Sequence, residues 1–320
     1  MVGSGTTLVE ASLRNFEAIG TDVNELCVLI SKAKTTYSPP KKNKNCIEAF
    51  QNFTTKQPVK LEQFTPRDKY LEHWFFKKNI ADLANIRKFI DTQKFDTTIS
   101  DLLKVGLASI IRNVSRASKG MGRMFLDPAL KEVDVYQMYD NKLLKFLEVM
   151  ENWECKKKKQ NVYLQNAKNL RMKNETIGFT ICHPPYYNLY KYSSIFKFEM
   201  LWTGLDYFGM NKNEIYEGFK LGNAKGVAMY VDDMNEILNE IWRVMKKKRY
   251  CVLMMGDAVI KGEQINTTSL LLQTQKKFDV EKIIVRIPKY TEASYAASQR
   301  RNKQNVGVNI PDHLVVLKKK

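Results

Sequence analysis

The sequence has few of the residues that form disulfide frameworks or metal centres. Its five cysteines lie at long, irregular intervals, which indicates reduced and mostly buried thiols. Only three histidines are present, and they are dispersed, so we expect no metal site. No apolar run approaches the roughly 18 residues of a membrane span, and no signal-peptide pattern follows Met1. We therefore expect a cytoplasmic chain with no membrane contact.

Acidic residues are also comparatively scarce. The 320 residues include 52 Lys and Arg against 34 Asp and Glu, which gives a net charge of +18. The positive electrostatic field of such a chain attracts nucleic-acid phosphates or anionic membranes. A general lysine bias of the proteome would give the same excess of basic residues. Hydrophobic residues make up 44% of the chain, which suffices for the core of one large domain or two. The charge permits nucleic acid as a partner without proving it.

The first residues form a glycine turn that opens an amphipathic helix. The turn contains Gly3, Ser4, Gly5 and Thr6, and a short predicted strand ending at Asp22 follows the helix. Glycines let the backbone approach a ligand closely, and a carboxylate about twenty residues later is placed to bind ribose hydroxyls. The turn lacks the lysine of a P-loop. A glycine turn or a strand-end aspartate alone is a common structural feature, but together they favour a nucleoside cofactor.

The middle of the chain is predicted to be helical. We expect an exposed, poorly ordered connection over Thr35–Lys60 and helices from Pro66 to about Trp153. Between the second and third helices, the pattern predicts a basic loop with two hydroxyls, two glycines and no acid. Its cations are Arg112, Arg116, Lys119 and Arg123. Such a loop suits phosphate contacts, and a solvated basic loop is the alternative.

The second half alternates strands and helices. An apolar run, Ile177–Cys182, ends at His183, Pro184, Pro185 and Tyr186; two prolines cannot continue a strand ladder. Further strands are predicted at 162–164, 250–255, 280–287 and 313–317, with helices at 229–247 and 265–278. This alternation predicts a mostly parallel α/β sheet covered on both faces. Ligands bind beyond the carboxyl ends of such strands, where the His-Pro-Pro-Tyr motif lies.

Together these motifs resemble those of S-adenosylmethionine-dependent DNA amino-methyltransferases, which modify N6 of adenine or N4 of cytosine. The stretch 2–11 resembles the end of the Asp-Pro-Phe-x-Gly-Ser-Gly-Thr-Thr cofactor motif, and His183-Pro184-Pro185-Tyr186 resembles the catalytic (Asp/Asn/Ser)-Pro-Pro-(Tyr/Phe). Stretches 243–246, 256–257 and 312–318 are similar to the later part of the family. The resemblance implies a Rossmann-like class I methyltransferase sheet with a helical insertion, and S-adenosylmethionine and DNA as cofactor and partner. It assigns cofactor contacts to the glycine turn, Asp22 and Asn166.

The resemblance also implies a role for the His-Pro-Pro-Tyr motif. An exocyclic amino group is a poor nucleophile because its lone pair is delocalised into the ring. A proline carbonyl and the His183 side chain would accept its two N–H bonds and make the nitrogen more nucleophilic, and rigid prolines preorganise these acceptors. Tyr186 would stack on a base flipped out of the duplex. Transfer of the methyl group then requires no metal.

Three departures from the family pattern are present. His183 replaces a carboxylate, amide or hydroxyl, so the motif does not indicate adenine or cytosine; a neutral imidazole accepts a hydrogen bond only in the right tautomer. Asn166 replaces an acid. The sequence also starts inside the cofactor motif, so the first strand is missing and its apolar neighbours should be exposed. A complementing chain could supply that strand, as in a split enzyme, or the chain is a truncated copy.

We therefore predict three regions and several alternative functions. The regions are 1–35 (cofactor part of the core), 36–155 (linker and helical insertion, a candidate DNA-contacting subdomain) and 156–320 (remainder of the core). A site-specific DNA methyltransferase is the first hypothesis. A catalytically weak nucleic-acid-binding subunit is the second, and an RNA amino-methyltransferase is the third.

Overall fold

The computed structural model describes residues 1–53, 62–118, 124–152, 160–187, 192–213, 224–260, 263–286 and 311–320. A 3-10 turn covers Glu62–Phe64. The helices in these ranges are α1 (Thr6–Leu13), α2 (Glu25–Thr35), α3 (Pro40–Phe53), α4 (Leu71–Trp74), α5 (Lys77–Thr92), α6 (Thr97–Val114), α7 (Val135–Glu151), α8 (Tyr192–Ile195), α9 (Lys197–Thr203), α10 (Tyr207–Asn213), α11 (Ala224–Val244) and α12 (Thr267–Thr274).

The strands form three separate groups. A parallel pair joins β1 (Ala18–Asp22) to β2 (Gln160–Leu164). A four-stranded sheet has the order β3-β4-β8-β7, and a small hairpin completes the set. The remaining bounds are β3 (Ile177–Cys182), β4 (Met245–Gly256), β5 (Ala258–Ile260), β6 (Glu263–Ile265), β7 (Phe278–Arg286) and β8 (Asp312–Lys319). The predicted α/β class is confirmed.

The larger sheet is mixed rather than wholly parallel. β3 and β4 are parallel, whereas β8 runs antiparallel to both of its neighbours, β4 and β7. Three of its four strands therefore share one direction. The predicted helix over 229–247 ends at Val244, and the lysines that follow begin β4 instead of closing the helix.

A break separates the two main groups of strands. Among the described strands, β1 pairs only with β2 and β3 pairs only with β4. The apolar side chains Ile19, Phe179 and Ile181 on these two strands are 37%, 55% and 46% exposed. These apolar side chains are therefore open to solvent in the part of the chain that the structure describes. The chain that follows β2 still connects the β1–β2 pair to α11, because Lys168 forms an ion pair with Asp233 on this helix.

The helical region has its own core, built from α3, α5, α6, α7 and α9. The expectation of an exposed connection over Thr35–Lys60 was wrong for α3. Pro40 occupies the first position of this helix, where its missing N–H costs nothing, and Cys46, Ile47 and Phe50 recur at helical spacing and are buried. The lysines on its other face suggested a loop, but the apolar stripe determines the structure.

The same helical core includes a segment that follows the His-Pro-Pro-Tyr motif. On α9, Phe198 and Trp202 are buried, and both rings contact Phe75, with centroids 5.3 and 5.9 Å away. The chain thus returns from the sheet to the helical region directly after the motif. The helical core therefore includes residues that come both before and after the candidate site in the sequence.

Within the described ranges, no helix is both long and apolar enough to cross a bilayer. Across the same ranges, no group of three or more His, Cys, Asp or Glu side chains converges on one point. Cys27, Cys46, Cys182 and Cys251 are free thiols, and Cys155 lies outside the described residues. Burial raises the pKa of Cys46 to about 11, so this thiol stays protonated at neutral pH.

Candidate active site

The His-Pro-Pro-Tyr motif directly follows the carboxyl end of β3. The ladder to β4 ends at the pair Cys182 and Leu253, and His183 is the next residue. The Tyr230 hydroxyl on α11 donates a hydrogen bond of 2.9 Å to the Pro185 carbonyl. This bond fixes the turn from the helix side.

The two ring residues of the motif lie together, and the Tyr186 ring packs on a glycine. His183 and Tyr186 have ring centroids 5.4 Å apart at an interplanar angle of 60°. A Cβ atom on Gly256, the last residue of β4, would lie 2.5 Å from Cε2 of Tyr186 and 3.2 Å from Oδ1 of Asp312. Only glycine leaves room for the tyrosine ring at this position. The end of β4 is therefore the floor of the candidate site.

Charged groups surround His183. Desolvation lowers the pKa of its imidazole most strongly, although the residue as a whole is exposed. The Asp312 carboxylate raises this pKa, whereas the amino group of Met1 and the Arg286 guanidinium lower it. The net direction is downward from 6.5, so the ring is neutral at neutral pH and can accept a hydrogen bond.

The glycine turn and Asp22 form a second part of the site. The Gly3 N–H donates to Oδ2 of Asp22 at 2.9 Å, and the Asn24 N–H donates to Oδ1 at 3.0 Å. Gly3 and Gly5 have φ angles of 51° and 82°, which favour glycine. A Cβ on Gly3 would meet no atom within 4 Å, so a ligand can approach the backbone there. A carboxylate accepts about four hydrogen bonds, so Asp22 retains capacity for ligand hydroxyls.

Other polar groups of the turn stabilise its shape. The Ser4 and Thr6 hydroxyl oxygens lie 3.3 Å apart, and Lys34 on α2 donates to the Ser4 carbonyl at 2.9 Å. The Gly5 position faces Ser31, whose Oγ would lie 2.7 Å from a Cβ atom. Close packing on α2 therefore requires glycine at position 5, in addition to its backbone angle.

Asn166 follows the end of β2, two residues beyond Leu164. Its Oδ1 accepts a hydrogen bond of 2.9 Å from the Lys168 N–H, and this bond closes a local turn. The amide NH₂ of the side chain is the group left to donate to a ligand. The structure thus places Asn166, Asp22 and His183 directly at or after the ends of three strands.

The four candidate phosphate-binding residues have different surroundings. Arg112 belongs to α6, not to a loop; its Nη2 donates to the Ile195 carbonyl at 2.9 Å, and its Nε lies 3.9 Å from a carboxylate oxygen of Glu199. Arg116 donates to the His73 carbonyl and lies over the Phe76 ring. These contacts favour a structural role for both arginines. Lys119 and Arg123 lie outside the described residues.

Three residues of the site had no assigned role in the sequence. Tyr230 holds Pro185, Gly256 supports Tyr186, and Asp312 lies beside Gly256 and raises the pKa of His183. The stretches 256–257 and 312–318, which include Gly256 and Asp312, resembled the family. That resemblance did not show which residues they contact. Tyr230 gave no comparable signal, because it occupies an ordinary apolar position of an amphipathic helix.

Together, a glycine turn bonded to a strand-end acid and a Pro-Pro-Tyr turn on an α/β sheet define a methyltransferase-like site. No family model matches the sequence. The chain is similar to the type II methyltransferase M.MvaI of Kocuria varians, with 21% identity over 336 residues, 87% of this chain and 74% of the relative. This similarity confirms the methyltransferase class that the motifs indicated.

Two solved structures show weaker similarity. The PvuII DNA methyltransferase, which is cytosine-N4-specific, aligns over 50% of this chain and 49% of its own, with 14% identity and a TM-score of 0.34. A SAM-dependent methyltransferase from Methanosarcina mazei aligns over 56% of this chain and 78% of its own, with 10% identity and a TM-score of 0.27. The chain spans about half the length of the PvuII enzyme. The comparisons give no support to a complementing chain.

Proposed function

We propose that the chain is an S-adenosylmethionine-dependent DNA methyltransferase that modifies an exocyclic amino group, N4 of cytosine or N6 of adenine. The observation that carries this proposal is the placement of the His183–Tyr186 turn and the Gly3–Asp22 pair at strand ends. The similarity to M.MvaI and the net charge of +18 support it.

The cofactor half of the site consists of Gly3, Ser4, Gly5, Thr6, Asp22 and Asn166. The bound cofactor would supply an electrophilic methyl group on a sulfonium. The open backbone at Gly3 lets a ligand approach the turn, the Asp22 carboxylate accepts ribose hydroxyls, and the Asn166 amide donates to the adenine ring. A buried acid already held by two backbone N–H groups is preorganised for this contact.

The target half of the site consists of Pro184, His183 and Tyr186. The Pro184 carbonyl accepts one N–H of the target amino group, because the Pro185 carbonyl is already bonded to Tyr230. Neutral His183 accepts the other N–H through an unprotonated ring nitrogen. Tyr186 stacks on the flipped base, its ring supported from below by Gly256. The amino nitrogen thereby gains nucleophilic character before transfer.

Cofactor binding and methyl transfer test the two halves separately. Calorimetric titration of the purified chain with S-adenosylmethionine, with and without DNA, should show binding that Asp22→Asn weakens. Tyr186→Ala should abolish methyl transfer and leave cofactor affinity unchanged. Tyr37→Ala is the control, since Tyr37 is a half-exposed tyrosine between α2 and α3. No cofactor binding under any condition would disprove catalysis by this chain alone.

A second candidate function is nucleic-acid binding with weak or no catalysis. The break between β1 and β3, next to the cofactor turn, and the unusual His183 favour it. DNA binding without measurable cofactor binding would support this alternative. Competition between DNA and RNA of equal length would test the hypothesis of an RNA amino-methyltransferase, since such an enzyme should prefer RNA in both binding and methyl transfer.

A further inference from the structure

A buried carboxylate lies beside the candidate catalytic pair. Asp312, the first residue of β8, is 3% exposed and pairs in register with both Gly256 on β4 and Arg286 on β7. Its Oδ2 accepts hydrogen bonds from Nε of Arg286, at 3.0 Å, and from Nη2 of the same guanidinium. Burial of a charged carboxylate is costly unless it is paired, and the Arg286 guanidinium provides this partner and fixes the orientation of Asp312.

The second carboxylate oxygen of Asp312 lies on the side of the Tyr186 ring. Oδ1 is 3.2 Å from the position of a Cβ on Gly256, and that position is itself 2.5 Å from the Tyr186 ring. The His183 ring contacts the same tyrosine. The charged groups that influence His183 are the carboxylate of Asp312, the guanidinium of Arg286 and the amino group of Met1. The Asp312 carboxylate and the Arg286 guanidinium therefore shift the pKa of His183 in opposite directions.

We propose that Asp312, held by Arg286, is a positioning residue that orients the His183 imidazole for the target amino group. A nearby negative charge favours the tautomer whose N–H points toward it, which leaves the other ring nitrogen free to accept. The inference rests on the proposed function, because it takes His183 as the acceptor of a target N–H. Asp312 itself does not touch the reacting atoms.

Titration of His183 by NMR tests the coupling directly. The chain has three histidines, so a His183→Asn variant identifies the resonance. The carboxylate raises the pKa of His183 and the guanidinium lowers it. Asp312→Asn should therefore move the midpoint of the titration to lower pH, and Arg286→Gln should move it to higher pH. Asp279→Asn is the matched control, since this acid pairs with Lys320 at the other end of the same sheet.

The pH dependence of methyl transfer should follow the same signs. Neutral His183 is the active form, so activity falls as pH drops through its pKa. The acid limb should shift to lower pH in Asp312→Asn and to higher pH in Arg286→Gln. At the pH optimum we expect Asp312→Asn to lower kcat by about ten- to a hundredfold, as for partners that orient functional histidines. Cofactor affinity should not change, and Asp312→Asn should cost nothing further in a His183→Asn background.

Shifts of equal sign in the two variants, or no shift in either, would overturn the proposal. If Asp312→Asn does not fold, Arg286→Gln decides alone, because the glutamine amide can still donate a hydrogen bond to the buried carboxylate and the side chain at position 286 is 59% exposed. Wild-type protein that transfers no methyl group to DNA would disprove the proposed function. The NMR titration would still show whether the Asp312–Arg286 pair controls His183, so the two failures are distinguishable.

Discussion

Substitution of Gly256 by alanine is a sharp test of the site geometry. The added methyl group would lie 2.5 Å from Cε2 and 2.7 Å from Cδ2 of Tyr186. A normal carbon–carbon contact needs about 3.5 Å, so the tyrosine ring has to move by roughly 1 Å. A displacement of this size can reduce the rate by about 10²-fold, or about 2.7 kcal/mol of transition-state stabilisation. Overpacking should also destabilise the fold by about 1–3 kcal/mol.

Single-turnover methyl transfer to DNA would measure the effect of Gly256→Ala, with cofactor affinity and urea unfolding measured alongside. Gly178→Ala is the matched control, because a Cβ on this β3 glycine would meet no atom within 4 Å. In a Tyr186→Ala background, Gly256→Ala should cause no additional loss of activity. A folded Gly256→Ala variant with a rate within about threefold of wild type would refute the role of Gly256 as support for Tyr186.

The remaining predictions concern the turn, the helical core and the basic loop. Tyr230→Phe removes the donor to the Pro185 carbonyl; we expect a loss of about 1 kcal/mol in unfolding free energy and slower methyl transfer at unchanged cofactor affinity. Phe50→Ala, at a buried ring, should cost about 3–5 kcal/mol in urea denaturation, and a smaller loss would show that the helical core can collapse around the cavity. Arg112→Gln should lower stability and leave the salt dependence of DNA binding unchanged, because its guanidinium binds a backbone carbonyl. Arg123→Gln should reduce the salt slope by about 0.9 if this arginine contacts one phosphate, and an unchanged slope would exclude that contact.

Elements with strong apolar patterns could be predicted from the sequence. The strand Ile177–Cys182 lies where the pattern placed it, and the helix Glu25–Thr35 follows the predicted strand that ends at Asp22. Their apolar residues follow one period and their ends carry clear signals, such as the Asn24 side-chain cap and the Pro-Pro step. The glycine turn and the His-Pro-Pro-Tyr turn were found for the same reason. Both are local in sequence.

Features that depend on distant partners could not be predicted. The lysines after Val244 look like the end of a helix, but they lie within β4, between Met245, which pairs with Ile177, and Tyr250, which pairs with Phe179 and Lys318. The contact from Tyr230 to Pro185 joins residues 45 positions apart, and Asp312 reaches the site only through its register with Gly256. Arg112 shows the same limit, since its partner on α8 lies 83 positions away. Tertiary contacts of this kind leave no periodic trace in the sequence.

Among the described strands, β3 is paired on one side alone, and we expect a measurable effect on backbone amide exchange. A strand paired on one side alone directs alternate N–H groups away from its partner, toward the unpaired edge. Along Ile177–Cys182 we expect slow deuterium uptake at amides bonded to β4 and fast uptake at the amides between them. β8 is paired on both sides and should be protected at successive positions. A segment that binds at the unpaired edge of β3 should slow amide exchange at every second residue of this strand. The exchange rates of these amides would therefore report binding at this edge in later experiments.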